Sequence, residues 1–441
     1  LYDNTTGYYN TAIGSGALEN NTTAPENSAF GFQGLYNNTT GEDNVAVGFQ
    51  TAWANTTGSQ ITAVGHGTLA NNTTSNFNTG IGFRSGYSNT TGGDNTYLGT
   101  YAAYYNTTGS RLVAVGKQAL NVNTADDNVA VGYQAAVSNT TGTQNTALGY
   151  QSLALNTTSS GNTAVGHHSL YSSTSANNTA VGYLSGYSNT TGSGLTVFGR
   201  MSGRYNTTGA ENTGLGINAL YTNTTGSYNT AVGSNALVSN TTADNNTAVG
   251  YQAVATNTTG TSNTSVGYRS LYLNSSGSYN NAFGHHALRS NSTAAANNAF
   301  GYATMYSNTT GTENSAFGHA ALNNNTTGSS NAAFGHNALN QNTTASGNTA
   351  LGKQAAFSNT TGASNTAVGY QAAYYTTTGI NNTVVGYAAL LLNSTGGANV
   401  AIGRDASRSN STGSNNISIG QEAGYSTTSG YANNFIGRQT G

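Results

Sequence analysis

The side chains able to do chemistry recur at fixed intervals. All seven histidines, His66, His167, His168, His285, His286, His319 and His336, fall one or two residues after a glycine that itself recurs along the chain. His319 and His336 stand seventeen residues apart, so in a structure with that period they would sit on successive levels and could share a metal ion, since imidazole is a common ligand. No acid or cysteine holds the same phase, and structural or exposed histidines are the expectation: no catalytic residue, no metal and no cofactor. The acids Glu42, Asp43, Asp94, Asp126, Asp127, Asp244 and Glu313 gather near an Asn-Thr-Thr-Gly segment without the spaced aspartates of a calcium loop. The glycines are periodic turn residues, and none opens a helix as a phosphate loop does.

The commonest chemically meaningful motif is Asn-x-Ser/Thr, the acceptor of N-linked glycans. Candidate acceptors are Asn4, Asn21, Asn38, Asn55, Asn72, Asn89, Asn106, Asn139, Asn156, Asn189, Asn206, Asn223, Asn240, Asn257, Asn308, Asn325, Asn342 and Asn359. The plainer reading is that Asn-Thr-Thr-Gly is a turn. The chemical reading draws on charge: only 5% of residues are charged, and an uncharged surface needs another reason to stay dispersed. Tyrosine is the second recurrent group. Tyr133, Tyr150, Tyr183, Tyr251, Tyr268, Tyr302, Tyr370 and Tyr387 directly follow the recurring glycine, and stack on each other across levels or present a striped surface to carbohydrate. Threonine ladders raise ice binding, but a regular Thr-x-Thr face is not evident.

What must position these groups is a repeat. The glycine of "AVG" or "ALG" runs from Gly14 to Gly437 in 26 units, spaced by seventeen residues except for sixteen at Gly116 to Gly132 and at Gly166 to Gly182. A period held this long is the mark of a solenoid. The residue before the glycine is bulky and apolar in every unit, from Ile13 and Phe30 to Ile436, which predicts burial. Four residues before it stands asparagine in 23 units, replaced only by Ile61, Leu112 and Leu195; apolar substitutes predict an inward asparagine ladder. The expected core ladder thus includes Asn145, Leu148, Val165, Val181, Val232 and Val249. Small residues precede the bulky column, alanine in 18 units, as at a crowded corner. The fourth and fifth residues after the glycine trade volume, as in Ala52 with Trp53 or Gly86 with Tyr87, which predicts that they fill one space.

Each unit therefore reads as two short strands, Asn145 to Leu148 and the Gln-Ser-Leu segment after Tyr150, joined by a wide Asn139–Gly142 turn. Nothing repeats at the helical period, and the alternation is too short for a hairpin sandwich. The expected fold is all-β: a parallel β-solenoid, or β-roll, of about 26 coils forming one continuous array over 1–441. At about 4.8 Å per level the array would be on the order of 120 Å long. No composition shift divides it, there is no cysteine, no apolar run long enough to span a bilayer, and a net charge of -2 gives no field for nucleic acid. Leu1 and Gly441 share one phase of the repeat, and neither end carries a cap, so joining end to end or excision from a longer array is expected.

Segments such as Ser138 to Tyr150, SNTTGTQNTALGY, resemble the tandem Asn-x-Ala-hydrophobic-Gly repeats of secreted bacterial and phage tail-fibre-like proteins. They are similar to the head repeats of trimeric autotransporter adhesins. That resemblance implies a left-handed parallel β-roll, side-by-side association of three chains and an exposed adhesive module, although the adhesin repeat is shorter than seventeen residues. The resulting expectation is a non-enzymatic structural subunit or shaft of an extracellular filament or surface fibre. The alternative is a glycan-binding adhesin or tail-fibre segment. Expected partners are other copies of this chain, end to end and side by side, and glycans, with no nucleic acid and no membrane insertion.

Overall fold

The computed structural model describes residues 1–441. The chain is all-β, with 26 parallel strands of three residues arranged as a solenoid, one strand per coil. It divides into two units, Leu1–Ile217 and Asn218–Gly441. The first carries β1 (Thr11–Ile13) through β13 (Thr213–Leu215), and the second β14 (Thr230–Val232) through β26 (Asn434–Ile436). Within each unit every strand pairs in parallel with the next at the offset of one repeat. In the first, Thr146, Ala147 and Leu148 lie beside Thr163, Ala164 and Val165; in the second, Thr247, Ala248 and Val249 lie beside Thr264, Ser265 and Val266. No helix is long and apolar enough to cross a membrane.

Threonine and β-branched or bulky apolar residues make the strand because they suit a pleated surface. The recurring glycine ends it. Gly149 has φ +138°, and a Cβ there would lie 2.4 Å from the carbonyl oxygen of Gly166 in the next coil, so no other residue fits.

The inward face of the strand is its middle residue. Side chains alternate along a strand, so burying Ala147, Ala164, Ala180, Ala231 and Ala248 completely turns their neighbours outward: Leu148, Val165, Val181, Val232 and Val249 are half-exposed. This corrects the expected burial of the bulky column, none of whose members is buried. The reason is width: a seventeen-residue coil leaves room for a methyl group at that wall, and the column of small residues faces the core together with the buried leucines at the fourth position after the glycine.

The second strand is also absent. Gln151 and Leu153 adopt left-handed φ values of 49° and 53°, which curl the Gln-Ser-Leu segment instead of extending it. Each such residue costs roughly 1 kcal/mol or more. Bonds between coils offset this, with Leu153 N–H donating to the Ser169 carbonyl and Gln151 N–H to that of Tyr133, both at 2.9 Å. Leu153 points inward and is fully buried.

The volume trade has a different partner from the one expected. The fourth residue after the glycine lies in the core, whereas the fifth lies outside, so Ala52 is buried while Trp53 is half-exposed. Space left by a missing leucine is filled from the strand side instead. A Cβ on Gly86 would lie 2.4 Å from the Tyr97 ring, and one on Gly203 2.8 Å from Val197. Tyr97 is completely buried, accepts a 2.8 Å bond from Asn106 Nδ2, and has its phenol held far above the usual pKa by burial.

Two asparagine ladders complete the interior. Asn145 is buried; its N–H donates to Asn128 Oδ1 at 3.0 Å and its Nδ2 to the Ser159 carbonyl at 2.9 Å. Ile61, Leu112 and Leu195 occupy the same buried column, and their N–H groups still donate to Asn44, Asn95 and Asn178 Oδ1 at 3.0, 2.9 and 2.9 Å.

Candidate functional site

The second ladder consists of the sequon asparagines. Asn139 Nδ2 donates to Asn123 Oδ1 at 2.7 Å and to the Gly142 carbonyl at 2.8 Å, while its Oδ1 accepts from Asn156 Nδ2 at 2.8 Å. Apart from half-buried Asn4, the candidate acceptors are no more than 1% exposed. The nitrogen to which a glycan would be attached is therefore inside the coil and already bonded. In the folded chain the Asn-Thr-Thr-Gly segment is an inward-facing turn and ladder, as in the plainer of the two sequence readings. The following threonine contributes too, as Thr140 Oγ1 donates to the Thr157 carbonyl at 2.9 Å.

Outside, the residue after each glycine forms an aromatic column. In the first unit Tyr133 stacks on Tyr150 at 5.2 Å with a 12° interplanar angle, Tyr150 on His167 at 4.9 Å, and Tyr183 lies 5.4 Å beyond. In the second, Tyr251, Tyr268, His285, Tyr302, His319 and His336 stack at centroid separations of 5.5, 4.9, 5.2, 5.1 and 5.1 Å. Tyr370 and Tyr387 form a separate pair at 5.3 Å. All eight tyrosines are exposed, but an inner ring of such a column has both faces covered by its neighbours. A sugar that binds through its apolar face needs a free ring face, which inner rings such as Tyr150, Tyr268 and Tyr302 do not offer and only the rings ending a run do.

His168 and His286 lie beside this column, against His167 and His285 at 4.1 Å. Burial, then the adjacent histidine, lowers their pKa. No group of three or more histidine and acidic side chains converges as a metal cage. The acids near the wide turn serve locally: Arg111 bridges Asp126 and Asp127 at 3.1 and 2.5 Å, and the guanidinium holds the Asp127 carboxyl below its usual range.

The outer face of the strands was not recognised from sequence. Each strand presents its first and third residues, commonly threonine and a bulky apolar side chain, to solvent. In the second unit this face carries a run of stacked rings: Phe283, Phe300, Phe317 and Phe334 at 4.7, 4.6 and 4.8 Å, tilted by no more than 9°. The signal for it was the uniform bulk of the column together with the alanine before it, which marks the inward side.

No known family model matches the chain, and no curated protein matches it. The shared ground with tandem-repeat fibre-like proteins is architectural: a parallel β-solenoid braced by asparagine ladders.

Proposed function

We propose that this chain is a non-enzymatic structural subunit, the shaft of an extracellular filament or surface fibre, whose coil stacks associate side by side through the outer strand faces. The observation that carries the reading is the uncovered apolar column on every strand, including the stacked Phe283, Phe300, Phe317 and Phe334. A contiguous apolar surface of this extent marks an interaction site. Thirteen coils at about 4.8 Å make each unit's face about 60 Å tall. A second copy matches that repeat coil for coil, with low charge to oppose contact. The extracellular placement draws on the uncharged Asn- and Thr-rich repeat and its likeness to secreted fibre sequences.

The adhesin alternative needs free ring faces on the tyrosine column, and stacking covers both faces of Tyr150, Tyr268 and Tyr302, leaving a free face only where a run ends. Electron microscopy of the purified chain tests the choice. Multi-stranded fibres that disperse when Phe300 and Phe317 are both replaced by Asp, with the melting temperature nearly kept, support the shaft. Dispersed single particles with specific sugar binding, lost on Tyr251→Ser and Tyr268→Ser, would replace it with the adhesin.

A further inference from the structure

The fifth residue after the glycine forms a second outward column, and in one place that column has a gap. Tyr36 and Trp53 stack at 6.3 Å, and Tyr87 and Tyr104 at 5.2 Å, but the coil between Trp53 and Tyr87 has Ala70 at this position. No other small residue of this column has an aromatic ring on both sides. The same coil has glycine, Gly67, where most coils carry a long side chain two residues after the anchor. Both cutbacks together open a notch of about 200 Å³ walled by Trp53 and Tyr87. Rings two coils apart are separated by about 9.6 Å, twice the strand spacing. One flat group fits between them.

The second unit shows the same kind of gap filled. Between Tyr272 and Tyr306 the column carries Arg289, whose guanidinium carbon lies 5.8 and 5.2 Å from the two ring centroids. A flat group between two rings is thus an arrangement the column already uses, and over the buried Ala70 the column carries no side chain of its own.

Two donors beside the notch are unspent, whereas the Gln50 amide is already bonded to Gln33 Oε1. Arg84 lies 5.3 Å from the Tyr87 centroid, belongs to none of the ion pairs, and its buried Nε–H has no partner. The buried Trp53 Nε1–H also has none. Gln50, His66 and Asn71 complete the polar lining, which includes no carboxylate. Buried donors without acceptors cost free energy, and a cation next to them favours an anion with acceptor oxygens. Flat aromatic walls favour a ring.

We infer that the notch between Trp53 and Tyr87 binds a single six-membered ring bearing a carboxylate, with Arg84 and Trp53 Nε1 as donors. Two sources share that chemistry: a uronic-acid residue of an acidic polysaccharide and an aromatic acid. The site lies on a different column from the outer strand face, so it does not depend on how coil stacks associate.

Trp53 is the only tryptophan in the chain, so its fluorescence reports on this notch alone. Titration of the full chain with glucuronate, benzoate and glucose should give a saturable emission change with a carboxylate-bearing ring and none with glucose. A response to glucuronate identifies the sugar source, and one to benzoate alone identifies the aromatic acid. Arg84→Gln should bind about tenfold more weakly. Ala70→Tyr, which continues the ring column through the gap, should abolish the response while melting no lower than the parent chain. No saturable change with either acid, an equal change with glucose, or unaltered binding by Ala70→Tyr would overturn the assignment. If Ala70→Tyr misfolds, the three-ligand titration and Arg84→Gln decide the matter on their own.

Discussion

Ala248 and Val249 are adjacent in one three-residue strand and experience opposite environments. Ala248 is completely buried, whereas Val249 is half-exposed. The inner side of the strand is short of space and takes small groups or a locally compensated bulky residue such as Tyr97, because the buried leucines of the facing segment already fill the interior. The outer face has no such limit, which is why valine, leucine, isoleucine and phenylalanine exchange freely there. The most apolar column of a thin solenoid is therefore not its core.

The sharpest way to break this comparison is to place the same charge on each side. Ala248→Asp buries an unpaired carboxylate and should cost about 3 kcal/mol or more, with protease cleavage confined to nearby coils because solenoid stability is mostly nearest-neighbour. Val249→Asp should change stability by less than about 1 kcal/mol. Equal losses in thermal melting would show that the outer face is covered within the single chain.

A smaller effect is expected in the ladder. Asn257 Nδ2 donates to Asn240 Oδ1 and the Gly260 carbonyl, and its Oδ1 accepts from Asn274 Nδ2, all at 2.9 Å. Asn257→Ala should cost about 2 kcal/mol by stranding these partners. The converse exists naturally. Thr376 occupies the ladder position after Asn359, and both Thr376 Oγ1 and Asn359 Oδ1 are buried without partners. Thr376→Asn should restore the bond and raise stability by about 1 kcal/mol, measured by denaturant titration.

The smallest effect concerns the partly covered outer columns. His286 has a pKa lowered by burial and by His285, so its neutral form is favoured in the fold. Its contribution is present above the unfolded histidine pKa of about 6.5 and is lost as pH falls through the lower folded value. Melting temperature should drop modestly on acidification below neutrality, and His286→Gln should reduce that dependence. An unchanged pH profile would place His286 in ordinary solvent.

The fold was legible because the period was. Seventeen-residue spacing, the absence of helical periodicity and the replacement of asparagine only by Ile61, Leu112 and Leu195 pointed to a coil with an inward polar ladder. The inside–outside assignment of the bulky column was not legible, because hydrophobicity does not reveal how wide the interior is; the alanine beside it carried that information. The second strand failed for a similar reason. Leucine and glutamine give no local sign of left-handed backbone, which at Gln151 and Leu153 is imposed by neighbouring coils. The sequons left two readings open because Asn-x-Thr specifies a chemical acceptor and says nothing about which way the amide points. The notch at Ala70 was invisible until the larger fifth-position residues were known to form one half-exposed column outside the core.

The hydrogen bonds between coils have a mechanical consequence. They run along the stacking direction, and within each unit every coil is held to the next by its own complete set. Tension along that direction would load the sets in series and release them one at a time, and each release would free seventeen residues of chain, or sixteen in the two shortened coils. Extended, these reach about 56 Å, against about 5 Å when stacked, so each event would lengthen the molecule by about 50 Å. A pulled unit should then yield in small, evenly sized steps and re-wind on slackening, which would make it an extensible tether that absorbs load without a single point of failure.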